Sequence, residues 1–205
     1  MRLTQPFKLS RLTPRLLGSL ILLSLLTTGL SACSRNNGPE VTIAAQSQTV
    51  DGPSDLENNQ TNVKITVPAN WVRAEDALRG SADIYASYPA QELYASVLSE
   101  SKTVLSQFDL EDNAEQYRLL IQRELNDYES SARTNVERIN GDPAVQYEIR
   151  GRVNGIPVVY LHTTVQGDTD YYQVVGVTTA DQYPDNKDTL ESIIESFEAL
   201  EEENL

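Results

Sequence analysis

A chain of 205 residues with thirty Asp and Glu against sixteen Lys and Arg carries a formal charge of -14. That balance opposes a phosphate backbone, which needs a basic patch for counterion release, so no nucleic-acid partner is expected. One cysteine excludes an intrachain disulfide and one histidine excludes a multi-histidine metal site, so stability must come from a packed core.

The leader holds Arg2, Lys8, Arg11 and Arg15 and no acid, and residues 16–30 read LLGSLILLSLLTTGL. These are the basic and apolar regions of a secretory signal. The apolar run is shorter than the ~20 residues a spanning helix needs. It ends in Leu30-Ser31-Ala32-Cys33, which resembles the lipobox of bacterial lipoproteins. The resemblance implies that residues 1–32 are removed and that Cys33 becomes the first mature residue and carries the lipid. The expected membrane partner is therefore reached through Cys33, because two or more acyl chains hold a protein on a bilayer where one does not. Under an ordinary signal peptide, Cys33 would instead be left as a reactive thiol. Losing the leader leaves twelve basic residues against thirty acids, a charge of -18. Such a domain stands off anionic head groups and suits a protein partner with a basic surface, or a divalent cation held weakly.

Residues 33–62 are rich in Asn, Ser, Gln, Gly and Pro, which predicts a flexible linker. Residues 63–205 are long enough for one domain. Val63, Ile65 and Val67 alternate with polar residues, giving a half-buried strand stopped by Pro68, with Trp71 in the following loop. Residues 82–88 and 92–98 read as two more strands around a turn at Pro89-Ala90. Between residues 109 and 130 the period changes. Tyr117, Leu120, Ile121, Leu125 and Tyr128 define one helix face, with Asp112 or Asn113 as the cap and Glu111, Glu115, Arg118 and Arg123 in water.

Residues 132–139, 144–153, 156–165 and 171–179 are strand-like and separated by Asn140-Gly141-Asp142, Asn154-Gly155 and Gly167-Asp168-Thr169, the composition of tight hairpins. They predict an antiparallel meander. The third run is apolar on both faces, as in a central strand. A second helix is expected over 188–200, on Leu190, Ile193, Ile194, Phe197 and Leu200, followed by the acidic tail Glu201 to Glu203. The order strands, helix, four-strand meander, helix predicts an α+β domain with a mainly antiparallel sheet flanked by helices.

Several features together resemble the PsbP-like superfamily, which includes extrinsic photosystem II proteins and small bacterial lipoproteins. They are Val67-Pro68 with Trp71 just after, the long helix, the pattern T-x-V-x-x-I-x-G-x-P-A-x-x-Y-x-x-x-G over 134–151, and Ser196-Phe197 near the end of the last helix. The resemblance covers essentially all of residues 63–200. It implies an α/β/α sandwich that binds partners, in a family that mostly lacks enzymatic activity. With the lipobox resemblance at Cys33, the expected location is a bacterial membrane, lipid-anchored and facing the periplasm, the thylakoid lumen or the cell exterior. Metal and docking residues of plant photosystem members match no identifiable positions here, so none is carried over.

Candidate sites are sparse. His162 shares a strand face with Val158 and Tyr160, the setting of a hydrogen-bonded sheet residue rather than a base. Asp168 with Asp170, and Asp109 with Glu111 and Asp112, offer oxygens for a cation such as calcium, but Asp is also a standard turn and cap residue. Arg150, Arg152, Arg133 and Arg138 suit a carboxylate or phosphate, or pairing with the many acids. Trp71 is expected in the core, and Tyr171 and Tyr172 either there or in a groove. No catalytic, cofactor or metal residue is assigned. The function expected is a non-enzymatic accessory or binding module for an extracytoplasmic or membrane protein complex. The alternative is a small-molecule or cation carrier with a roomy pocket between sheet and helix.

Overall fold

Two Asn-Gly pairs fix the register of the main sheet. Asn140 (φ 47°) with Gly141 (φ 95°), and Asn154 (φ 52°) with Gly155 (φ 81°), take the left-handed backbone that two-residue hairpins require. The computed structural model describes residues 52–73 and 81–200. The signal, Cys33, the linker up to residue 51 and the tail Glu201 to Glu203 lie outside the described residues.

The chain runs β1 (Ser54–Asn58), β2 (Val63–Val67), β3 (Val72–Arg73), β4 (Ile84–Tyr88), a 3-10 turn (Pro89–Gln91), β5 (Leu93–Ser101) and helix α1 (Leu110–Glu124). There follow β6 (Asp127–Arg133), β7 (Arg138–Ile139), β8 (Asp142–Val153), β9 (Ile156–Gln166), β10 (Asp170–Thr179), helix α2 (Tyr183–Glu195) and β11 (Glu198–Ala199). Eight strands form one sheet in the order β3-β4-β5-β10-β9-β8-β6, with β7 paired to β8 off that path. A smaller sheet has the order β1-β2-β11. Every pairing among the described residues is antiparallel.

The helices cover opposite faces of the main sheet. Val158, Tyr160, Ile149 and Val175 pack with Ile121 of α1 and with Leu125 just past its end. The alternate residues Val159, Leu161, Val165 and Val174 pack with Leu190, Ile193 and Ile194 of α2, and this larger core also takes in Ile65, Trp71 and Phe197. Central β9 is buried on both faces over 158–165, as its two-sided apolar sequence predicts. Each of its aliphatic side chains, Val158, Val159, Leu161 and Val165, contributes about 1.5–3 kcal/mol on burial. Trp71 is 2% exposed and belongs to the core, as expected.

Four boundaries differ from the sequence reading. Ser54–Asn58, assigned to the linker, is β1: Leu56 and Asn58 point inward while Asp55 and Glu57 face out, and one apolar residue in five leaves no period to read. The first helix ends at Glu124 rather than near residue 130, because the Asn126 N–H donates to Arg152 O at 2.8 Å and draws the chain into the sheet as β6. Tyr128 therefore lies on an edge strand and is 40% exposed. Residues 134–137 fall outside any strand, so the first meander run is split into the end of β6 and the short β7. Helix α2 starts at Tyr183, with Pro184 in its first turn where a missing N–H costs nothing, and ends at Glu195, placing Phe197 in the core just beyond it.

The cap of α1 is Asp109, whose carboxylate accepts from the Asp112 N–H at 2.9 Å; it is not Asp112 or Asn113. Arg118 is not in water either. Its side chain is 14% exposed, it is bonded to Glu115, Gln122 and Ser131, and it lies over the Tyr147 ring at 5.9 Å.

Candidate functional site

His162 sits in the middle of β9 with no exposed surface. Its Nε2 is 2.8 Å from Gln173 Oε1 on β10, which also accepts from Thr164 Oγ1 at 2.7 Å. The Gln173 amide in turn donates to Asn113 Oδ1 of α1 at 2.7 Å. The Tyr117 ring stacks on the imidazole at 5.9 Å. Nε2 is therefore the protonated nitrogen, and Nδ1 has no hydrogen-bond partner. Burial holds the imidazole down to about 4, against a smaller opposing effect of the Gln173 hydrogen bond. This is a structural histidine that ties β9, β10 and α1 together, as its place on an apolar strand predicts.

The acids form two groups. Asp109 and Asp112 lie near Tyr171, whose hydroxyl donates to Phe108 O at 3.1 Å. Asp168 and Asp170 flank the β9–β10 turn beside Tyr172. Among the described residues no three His, Cys, Asp or Glu side chains come together as a metal-holding group. Tyr171 and Tyr172 are 5% and 7% exposed, so neither lines an open groove, and Tyr172 belongs to the α2-side core.

The arginines are paired. Arg133 meets Glu111 through two bonds of 2.9 and 2.8 Å, Arg150 meets Glu148 at 2.7 Å, and Arg152 lies 3.6 Å from Glu129. Arg138 donates to Gly141 O.

A cleft of about 400 Å³ opens on the α2 side of the sheet between the end of β6, β8 and α2, the kind of pocket the carrier alternative expects, with a lining the sequence did not indicate. Its lining includes Arg133, Asn135, Gln146, Glu148, Lys187 and Glu191. Tyr183, Lys187 and Glu191 recur at four residues and so share one face of α2. Gln146 is tied to Thr134 at 3.0 Å and to Thr163 at 2.8 Å. Glu148 accepts from Tyr183 at 2.7 Å and from Arg150 at 2.8 Å. Burial raises the Glu148 pKa, but these donors outweigh it and hold the carboxyl below its usual range. The Tyr183 hydroxyl is correspondingly pushed up, by burial first and then by the bond to Glu148. The volume falls within the span of small-molecule sites, and the lining supplies both charges with polar groups between them. No sequence spacing signals it, because its walls come from segments some fifty residues apart in the chain.

Two helices on opposite faces of an antiparallel sheet make up a PsbP-like α+β fold. In solved structures the fold is similar to that of the cyanobacterial PsbP (CyanoP) of Synechocystis sp. PCC 6803, with a TM-score of 0.53 and 11% identity over 79% of this chain and 99% of that one. A Bacteroides thetaiotaomicron protein matches with a TM-score of 0.50 and 10% identity, over 75% of this chain and 50% of that longer one. LpqN of Mycobacterium tuberculosis, described as involved in cell envelope biogenesis, matches at 17% identity and a TM-score of 0.45, over 78% of this chain and 98% of that one. No protein-family model and no curated protein matches. Among the described residues no helix is long and apolar enough to cross a membrane.

Proposed function

We propose that this chain is a lipid-anchored, non-enzymatic accessory module that docks on a protein complex at the outer side of a bacterial membrane. The observation that carries the reading is the position of the single cysteine, Cys33, at the end of a lipobox-like stretch directly behind a basic and apolar leader. The mature charge of -18 supports a partner with a basic surface, and the fold shared with the cyanobacterial PsbP supports a module that binds rather than catalyses. Affinity capture from detergent-solubilised membranes, with wild type and Cys33→Ala side by side, tests it. A partner retained by the wild type and lost with the variant is the expected result. Identical soluble behaviour of the two proteins would remove the anchor from the account.

The cleft beside Lys187 and Glu191 favours a second reading, a carrier or sensor of a small polar ligand. It predicts a saturable, ligand-dependent rise in melting temperature that Lys187→Ala abolishes. A protein that melts at the same temperature with every small ligand, and still captures its partner, sets this reading aside.

A further inference from the structure

The loop from β5 to α1 carries an apolar tip. Val104 is 78% exposed, and Leu105, Phe108 and Leu110 close by are only partly buried. The loop is held by its own backbone and by the neighbouring hairpin. The N–H groups of Val104 and Leu105 donate to Ser101 O at 3.1 and 3.3 Å, that of Phe108 to Leu105 O at 2.9 Å, and that of Lys102 to Thr169 O at 2.9 Å. The Tyr171 hydroxyl fastens Phe108 O from below. Val104 is therefore presented on an ordered support, which lowers the entropy lost when a partner covers it.

The surroundings of the tip are acidic. Asp109 and Asp112 stand on the helix side, and Asp168 and Asp170 on the β9–β10 hairpin that the loop bonds to. Lys102, the base in the loop, is occupied by the carbonyl oxygens of Gly167 and Asp168, and the nearby Glu111 is neutralised by Arg133. An apolar plug in an acidic collar is repelled by an anionic lipid surface and complements a protein with the opposite arrangement.

We propose that Val104, at the tip of the β5–α1 loop and flanked by Asp109, Asp112, Asp168 and Asp170, forms the docking surface for a protein partner offering an apolar pocket rimmed by lysine or arginine. The proposal rests on the accessory-module reading and gives it a location.

The test is site-specific photo-crosslinking of the full-length protein in native membranes, with the photoreactive residue at Val104 or at exposed Asp181. Asp181 lies just past the other end of β10, about 30 Å away at the rise of an extended strand. A protein adduct is expected from position 104 and not from 181, falling at least fivefold in a variant combining Asp168→Lys and Asp170→Lys, and falling likewise in high salt. Val104→Asp should abolish capture with an unchanged melting temperature. A protein adduct at 181 alone would overturn this surface and leave the accessory reading intact. A lipid adduct at 104 would overturn it in favour of a bilayer contact. Protein adducts at neither position would remove both.

Discussion

Gln173 holds His162 in a single tautomer. Its carbonyl oxygen accepts from His162 Nε2 at 2.8 Å while its amide is committed to Asn113 at 2.7 Å, so the ring cannot exchange donor for acceptor without breaking the link to α1. Protonating the ring would place a positive charge where Nδ1 has no partner.

Acid stability follows from that relationship. The folded value near 4 lies below the ordinary 6.5, so between these pH values the unfolded chain binds the extra proton and folding stability rises with pH. Stability is complete above about 6.5 and declines as pH falls toward 4, by a total on the order of 3 kcal/mol. Glu115 and Glu148 titrate with lowered values, so their loss comes below the ordinary carboxylate value of 4.5. Denaturant melts at pH 7, 5.5 and 4.5 should show the decline in wild type, and its disappearance between 7 and 5.5 in His162→Leu. A wild-type curve flat across that interval would contradict the buried-imidazole account.

The seat of α2 is similarly specific. A Cβ built on Gly176 of β10 would lie 3.0 Å from Leu190 Cδ2 and 3.3 Å from its Cβ. Gly176→Val should overpack the interface at a cost of about 1–3 kcal/mol. Leu190→Ala, at a fully buried position, should cost about 2–5 kcal/mol by leaving a cavity. Combining the two should recover part of the loss, which chemical denaturation of the four proteins in a double-mutant cycle would read as coupling.

These contacts also show what was legible in the chain. The meander was written in Asn140-Gly141 and Asn154-Gly155, because positive φ is a local demand that local chemistry answers. The buried state of His162 followed from the apolar residues on either side of it. The end of α1 was not legible. Tyr128 continues the helical spacing from Tyr117, Ile121 and Leu125, and only the long-range bond from Asn126 to Arg152 diverts the chain. Strand β1 was hidden because Leu56 is a lone apolar residue whose burial depends on β2. The cleft was hidden because Glu148 and Lys187 meet only through the packing of α2 on the sheet. The apolar tip at Val104 carries no periodic signal, and its exposure is a property of the fold.

Asp83 fastens β4 to its neighbours. Its side chain is buried and accepts from Ser99 N at 2.5 Å and from Ser99 Oγ at 2.7 Å, and its carbonyl oxygen accepts from Asn58 of β1 at 2.9 Å. Asp83→Ala should cost about 1–3 kcal/mol, because the Ser99 amide loses its partner inside the protein. Hydrogen exchange should show the loss first at Ser99 of β5, while the Asn58 bond to the Asp83 backbone oxygen is kept.

The exposed pair Arg133–Glu111 provides the contrast. Both side chains are about half in water, at 47% and 55%, so two bonds with good geometry still add little. Glu111→Gln should change stability by less than about 1 kcal/mol, with a melting temperature close to wild type.

The central claim is the anchor, and the mass of the mature N-terminal peptide from the membrane fraction tests it most directly. The account predicts that the chain begins at Cys33 and that this residue carries the added mass of acyl chains. A mature chain beginning elsewhere, or an unmodified Cys33 in the soluble fraction, would contradict it.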